Sequence, residues 1–509
     1  LTVDALSAPL PRGEKTTQRF FLAAAIGLTL VLAGLLVMFG VGSGNLVVPA
    51  GLLAGMIAVP IILRKPIAGI FLVFAAAVIV ETDKLTFGLS VTSSIPIFRD
   101  IGGISANPAE LIIVVTGVGW LLRSRDKLAR RPVPLFVPFT AFIAVVAFGV
   151  IHGALTHGNL KIALWTVRPL AYFYLAYLLT FQLVRDRRQV TALLWIFILG
   201  VALKGAIGWY RYYVDLGGSL AGLSSVTGMN SLMAHEESFF YAGLMLLAVV
   251  QILYGAPRGQ RIATLLATPL VLLPFFANQR RAGVLALIVA LPLLCVVTLS
   301  LLPNRRHILI GGLVLAGAFL PFYVGASWNT QSLVTEPVQA LKSGVTPDTR
   351  DQLSNDYRDI ENYDLMYTAK HSPLIGIGYG KEMTQAKLLP NISAQFAWYK
   401  IAPHNSILWI LMTLGVVGFA AFWYFLGSAI IRMLQAARRL SRPGDRGIAA
   451  FTLVMLSALL VFAMVDQGLF SMRAMIFVGV LMGVVFALPH LQEPEKAEEA
   501  IPSERGDDD

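Results

Sequence analysis

The chain has 509 residues, of which 56% are hydrophobic and 14% charged, with a formal net charge of +11. A soluble protein of this length carries roughly 25% charged residues, so this composition, with a mean hydropathy of +0.71, excludes an ordinary soluble globule. The single cysteine, Cys295, excludes an intrachain disulfide and a cysteine-rich metal centre.

Residues 1–19 hold Arg12, Lys15 and Arg19 and precede a full-length apolar run without a convincing small-residue cleavage site. They read as a cytoplasmic N-terminal segment ahead of a first membrane helix. A helix of about 20 apolar residues crosses a bilayer. On that measure the sequence predicts spans over 20–40, 46–63, 66–82, 107–122, 133–151, 162–184, 189–208, 236–254, 261–277, 282–300, 307–325, 404–427, 447–465 and 469–488. The expected fold is an all-α polytopic membrane protein with about 14 transmembrane helices. Helices 1–11 occupy 20–325, a long and partly helical external loop 326–403, and helices 12–14 occupy 404–488. The acidic segment 489–509 has little to bury and reads as a disordered cytoplasmic tail.

The basic clusters orient this array. With the N-terminus inside, the inner loops hold Arg64 and Lys65, RSRDKLARR at 123–131, RDRR at 185–188, Arg258 and Arg261, Arg305 and Arg306, and RMLQAARRLSRPGDR at 432–446. All are short and basic, as the positive-inside rule requires, so the net charge reads as topology and not as a nucleic-acid surface.

Four segments then face outward: 83–106, 209–235, 278–281 and 326–403. The last is too long to lack structure of its own. Within it, Leu353, Tyr357, Ile360, Asp364 and Tyr367 recur at spacings of three and four, which predicts a helix over 350–370 on the membrane surface. HSPLIGIGYG at 371–380 supplies the turn that ends it. Arg280 and Arg281 lie at an outer helix boundary, against the charge rule; they either serve a site or snorkel to lipid head groups. Arg211, in GWYRYYVDLGG, fits a site or an aromatic interface belt equally. Arg168 lies several residues into a helix and reaches a cavity or the head groups. His235 and Glu236 open a helix, and Asp466 and Arg473 flank the last outer turn, where they are able to pair. His404, after Pro403, opens HNSILWILMTLGVVG as either a cap or a base. No metal-binding or nucleotide-binding motif stands out, so no cofactor is expected. Arginine matches diphosphate oxygens in bidentate geometry. A histidine beside such arginines permits activation of a hydroxyl against a carbon bonded to a lipid diphosphate.

In order, NQRRAGVLALIVALPLL, RDIENYDLMYTAKHSPLIGIGYG and HNSILWILMTLGVVG resemble the conserved pieces of the O-antigen ligase and polysaccharide polymerase superfamily of bacterial membranes. The resemblance runs over about 270–420. It implies a metal-independent inverting glycosyltransferase in the bacterial inner (cytoplasmic) membrane. Such an enzyme takes a glycan from an undecaprenyl-diphosphate carrier, on the periplasmic or outer side, and gives it to a glycan or lipid-linked glycan acceptor. Membrane lipids, and polysaccharide assembly proteins, are the other implied partners. By resemblance His404 takes the place of the catalytic histidine, Arg280 or Arg281 that of the diphosphate-binding helix arginine, and Arg358 that of the loop arginine; Arg211 is a looser match. The family's Ser–Arg–Gly stands here as Gln279, Arg280, Arg281, Ala282 and Gly283, so the equivalent arginine stays open. Ligation and polymerisation both fit. A lipid-linked glycan flippase would show internal repeats and broken midplane helices, and no convincing repeat is found. A noncatalytic assembly component would not need His404 together with outer arginines.

Overall fold

A computed structural model of the chain describes residues 27, 47–82, 91–100, 106–123, 131–219, 232–330, 332–346, 349–394 and 396–491. The N-terminal segment, almost all of the expected 20–40 span and nearly all of the acidic tail lie outside the described residues. Fifteen helices organise the rest: α1 Val47–Arg64, α2 Ile67–Ile79, α3 Pro108–Arg123, α4 Phe136–Leu155, α5 Leu160–Leu183, α6 Arg187–Tyr210, α7 Glu237–Tyr254, α8 Arg258–Ala277, α9 Arg281–Leu301, α10 Arg306–Ser327, α11 Glu336–Val345, α12 Thr349–His371, α13 Ser406–Arg438, α14 Pro443–Val465 and α15 Met472–Ala487, with shorter turns between. No strand occurs among the described residues.

Ten of these, α4 to α10 and α13 to α15, are long and apolar enough to cross a membrane. The chain is a multi-pass membrane protein. Ten of the fourteen expected spans therefore appear as helices of that kind. The expected spans 46–63, 66–82 and 107–122 appear as α1 to α3, which are less complete. With 13 residues, α2 reaches about 20 Å, against a hydrocarbon core of about 30 Å.

The core is built around α15, in which every residue from Met472 to Ala487 is buried. Gly479 and Gly483 let α5 approach closely, since a Cβ there would lie 2.7 Å from the Phe173 carbonyl oxygen and 2.6 Å from Thr180 Cβ. Small residues at such crossings are how membrane helices pack without a hydrophobic drive between them. On the periphery, α10 buries only Leu309 and Ser327, and its exposed Leu313, Val314, Phe319 and Phe322 form an apolar surface of the kind lipid covers.

One irregular feature sets the position of the segment before α13. That helix is broken at Gly415, whose φ is 63°. The irregular stretch after α12 threads into the break. Val416 N–H donates to the Pro373 carbonyl at 2.8 Å, Val417 to Leu374 at 3.1 Å, Ile377 to Met412 at 3.0 Å and Gly378 to Thr413 at 2.9 Å. A side chain on Gly415 would collide with the Leu374 carbonyl at 2.4 Å. Irregular backbone at membrane depth survives only where protein satisfies it, and here the two segments that meet at the break satisfy each other. The glycine-rich turn expected after 350–370 is therefore a latch that joins α12 to α13, and not only a helix stop.

Candidate functional site

The site forms where α12 crosses the N-terminal ends of α9 and α13. His404 precedes α13, and the cap of that helix is Asn405, whose side chain accepts from Leu408 N–H. His404 is thus not the capping residue. Its backbone N–H donates to Glu361 Oε2 at 3.0 Å, and its ring Nδ1 lies 3.2 Å from both Glu361 oxygens. Its carbonyl accepts from Gln467 N–H at 2.8 Å. Glu361 is 1% exposed while the His404 side chain is 25% exposed. A carboxylate on Nδ1 fixes the tautomer, with the proton on Nδ1 and the lone pair on Nε2. Tyr357, one turn before Glu361, sets its ring edge-on to the imidazole at 5.7 Å. Burial, then Glu361 and Tyr399, push its phenol above the usual range, so it stays neutral. The neighbouring Asn405 and Asn362 side chains are joined at 3.1 Å.

The arginine side is built on the turn before α9. Asn278 is fully buried, accepts from Met233 N–H at 2.8 Å and donates to Ser238 Oγ at 3.0 Å. This anchors the turn and turns Arg280 and Arg281 outward from it. Arg280 Nη2 meets His235 Nε2 at 2.7 Å, and His235 Nδ1 lies 3.5 Å from Asp466. Burial opposes ionisation of Asp466, but His235, Arg280 and His404 outweigh it and hold the carboxyl well below the usual carboxylate range. Arg281 instead reaches across to α12, where it donates to Asn355 at 3.3 Å. Arg358 lies three residues further along α12 and three before Glu361, so these side chains share one face. Arg358 is partly buried, and its Nε has no hydrogen-bond partner.

Two expected site residues have other neighbours. Arg211 is completely buried; its Nη1 lies 3.5 Å from Glu81 and donates to the Leu232 carbonyl at 3.4 Å. It belongs to a closed cluster in which Lys204 pairs with Glu81 and with Glu237 at 3.4 Å, and Arg473 with Glu237 at 2.6 Å and Glu236 at 3.2 Å. Arg168 is 9% exposed and binds Asp100 at 2.8 Å and Glu110 at 2.7 Å. The expected Asp466–Arg473 pair does not form, because Arg473 lies inside the first turn of α15 and points at α7 while Asp466 faces His235.

Sequence reasoning missed Glu361 as the partner of His404. It also missed Lys204, Glu81 and Glu237, although an ionisable residue within an apolar run, such as Lys204, is itself a signal. A separate cavity of about 640 Å³ is lined by His157, Lys381, Glu382, Trp398, Tyr399 and Ile401, among others, and by none of His404, Glu361, Arg280, Arg281 and Arg358. Its wall leads along the chain from Ile401 to His404. Among the described residues no group of three or more His, Cys, Asp or Glu is placed to hold a metal.

Residues 265–423 match the family model described as O-antigen ligase. That stretch contains Arg280, Arg281, Arg358, Glu361 and His404. None of the curated proteins compared with the chain matches it.

Proposed function

We propose that this chain, whose residues 265–423 match the family model described as O-antigen ligase, moves a glycan from an undecaprenyl-diphosphate carrier to a hydroxyl acceptor at the outer face of the cytoplasmic membrane. The observation that carries this reading is the His404–Glu361 pair, in which Glu361 lies on a helix that also carries Arg358 and receives Arg281 at Asn355. A base oriented by a buried acid is the arrangement that activates a nucleophile.

In the proposed reaction the acceptor hydroxyl gives its proton to His404 Nε2 as its oxygen attacks the anomeric carbon. The bond from that carbon to the diphosphate oxygen breaks, and the diphosphate leaves on the carrier lipid with the electron pair. Glu361 stabilises the imidazolium that forms. Arg281 and Arg358, with Arg280 behind them, meet the charge that builds on the leaving oxygens, where fixed donors contribute most. A single displacement inverts the anomeric centre. The cavity whose wall ends at Ile401, three residues before His404, offers the aromatic and polar lining that sugars use, and we place a glycan there. Arg211 and Arg168, held by acidic partners, take structural roles in this scheme.

The test is transfer by the purified protein from one defined carrier-linked repeat. His404→Ala should abolish transfer, and unchanged transfer would remove His404 as the base. Mass analysis of the product separates the two branches: a ladder marks a polymerase, and one transfer to a different lipid or polymer marks a ligase.

A further inference from the structure

A second pocket, of about 410 Å³, lies at the other end of the bundle. It is formed by the first turns of α6, α8 and α14 and the last turn of α7. The opposite ends of α6, α7 and α14 carry Arg211, Glu237 and Asp466, so the bundle separates this pocket from His404.

Its polar groups are unusual. Gln251 is 4% exposed, and neither its amide nitrogen nor its amide oxygen has a hydrogen-bond partner in the protein. Leaving both ends of a buried amide unmade is costly. Arg187 spends one nitrogen on Asp445 at 2.7 Å, while its buried Nη2 has no hydrogen-bond partner. Arg442 is exposed at the mouth. Arg187, Arg442 and Asp445 together carry one net positive charge. The remaining wall is mainly apolar, with Val190, Leu194, Leu247, Val250 and Ile448.

A ligand that completes this pocket must satisfy four demands. It needs one negative charge, acceptor oxygens for Arg187 and Gln251 nitrogens, a donor for the Gln251 oxygen, and a chain that prefers the apolar wall to water. A phosphodiester supplies the first two, and a hydroxyl on the head group the third. Acyl chains supply the fourth. We propose that this pocket is a binding site for an anionic, hydroxyl-bearing phospholipid head group, separate from the glycan-transfer site. A quaternary ammonium head group cannot donate to Gln251, and a soluble phosphate gains nothing from the wall.

The experiment is a native mass-spectrometric titration of the detergent-purified full chain with dioctanoyl phosphatidylglycerol. Dioctanoyl phosphatidylcholine and glycerol phosphate serve as comparison probes. One saturable phosphatidylglycerol site is expected, tighter than either comparison probe. Gln251→Leu should weaken it about tenfold or more, and Arg442→Ala several-fold. Arg442 is exposed, so its variant tests the site without disturbing the core. A thermal melt equal to wild type establishes that Gln251→Leu is folded. His404→Ala should bind like wild type, which separates this result from the transferase reading. Equal binding of phosphatidylcholine, or affinity unmoved by both variants, would overturn the proposal. So would glycerol phosphate binding as tightly as the lipid, or the absence of any saturable site, which would leave the pocket to water.

Discussion

Replacing Glu361 by Gln isolates what the carboxylate does. The substitution keeps an oxygen to accept from the His404 backbone N–H, now at 3.0 Å, so the segment before α13 stays in place. It removes the negative charge 3.2 Å from Nδ1. Two unit charges at that separation interact by on the order of 5 kcal/mol at an effective dielectric of about 20. The imidazole is partly open to solvent, which brings the loss to about 3–5 kcal/mol in the protonated state. In the proposed reaction the loss falls on the step that moves the proton to His404. Glu361→Gln should lower kcat by roughly 10²–10⁴-fold, with donor KM changed little and the melting temperature close to wild type. Initial rates against donor concentration, alongside a thermal melt in the same detergent, give all three numbers. A kcat within about twofold of wild type would refute the reasoning, because the charge would then contribute nothing to proton transfer. A raised donor KM with unchanged kcat would place Glu361 in substrate binding instead.

Other outcomes follow from neighbouring features. Arg358→Lys keeps a positive charge but loses the planar fork, so kcat/KM for the donor should drop about ten- to a hundredfold; an unchanged value would remove Arg358 from diphosphate recognition. Gly415→Ala places a methyl against the Leu374 carbonyl at a φ of 63°, and should cost roughly 2–4 kcal/mol, read as a lower melting temperature; a neutral result would show that the break in α13 is not held rigidly. Lys204→Met leaves buried Glu81 with only the more distant Arg211 at 3.5 Å and should destabilise by about 3–5 kcal/mol, a loss that the double variant Lys204→Met, Glu81→Leu partly restores. Asp466 ionises more readily folded than unfolded. The stability it contributes is therefore complete above the ordinary carboxylate pKa of about 3.9 and lost as pH falls from there toward its folded value. Melting curves of wild type and Asp466→Asn should converge on acidification, and curves that stay parallel would discount the shift.

The helices were legible because a membrane span is written in length and hydropathy. The expected 282–300 is α9 at Arg281–Leu301, and the surface helix expected over 350–370 is α12 at Thr349–His371. The expected spans 66–82 and 107–122 form helices of 13 and 16 residues, which are short for a crossing. Arg280 and Arg281 stood out against the expected charge pattern, and His404 stood out as a histidine opening an apolar helix. Glu361 did not, because an acid in a charged surface helix looks solvated; only the fold brings it 43 residues along the chain to His404. Arg211 misled for the converse reason. Its aromatic, polar setting in the sequence resembles an outer rim, yet its acidic partner Glu81 lies 130 residues earlier in the sequence and buries it. Pairing between helices is a property of the packed bundle and leaves no local trace.

The two halves of the site are held by one turn. Asp466 and Gln467 are consecutive, between α14 and α15, and Gln467 takes a left-handed conformation at φ 51°. Asp466 reaches through His235 to Arg280 on the arginine side. Gln467 donates its backbone N–H to the His404 carbonyl, and its side chain donates to the Ala402 carbonyl at 2.9 Å on the histidine side. The spacing between base and leaving-group arginines therefore depends on where this turn sits. Ser471, at its end, donates to Glu236 at 2.5 Å, and Arg473 fixes Glu236 and Glu237 from the first turn of α15. Glu237 in turn holds Lys204, which pairs with Glu81 beside Arg211. The buried charges contribute little net stability when complete. Their closed geometry instead fixes α2, α6, α7 and α15 in one register, and through the 466–467 turn that register sets the distance across which the proposed transfer takes place.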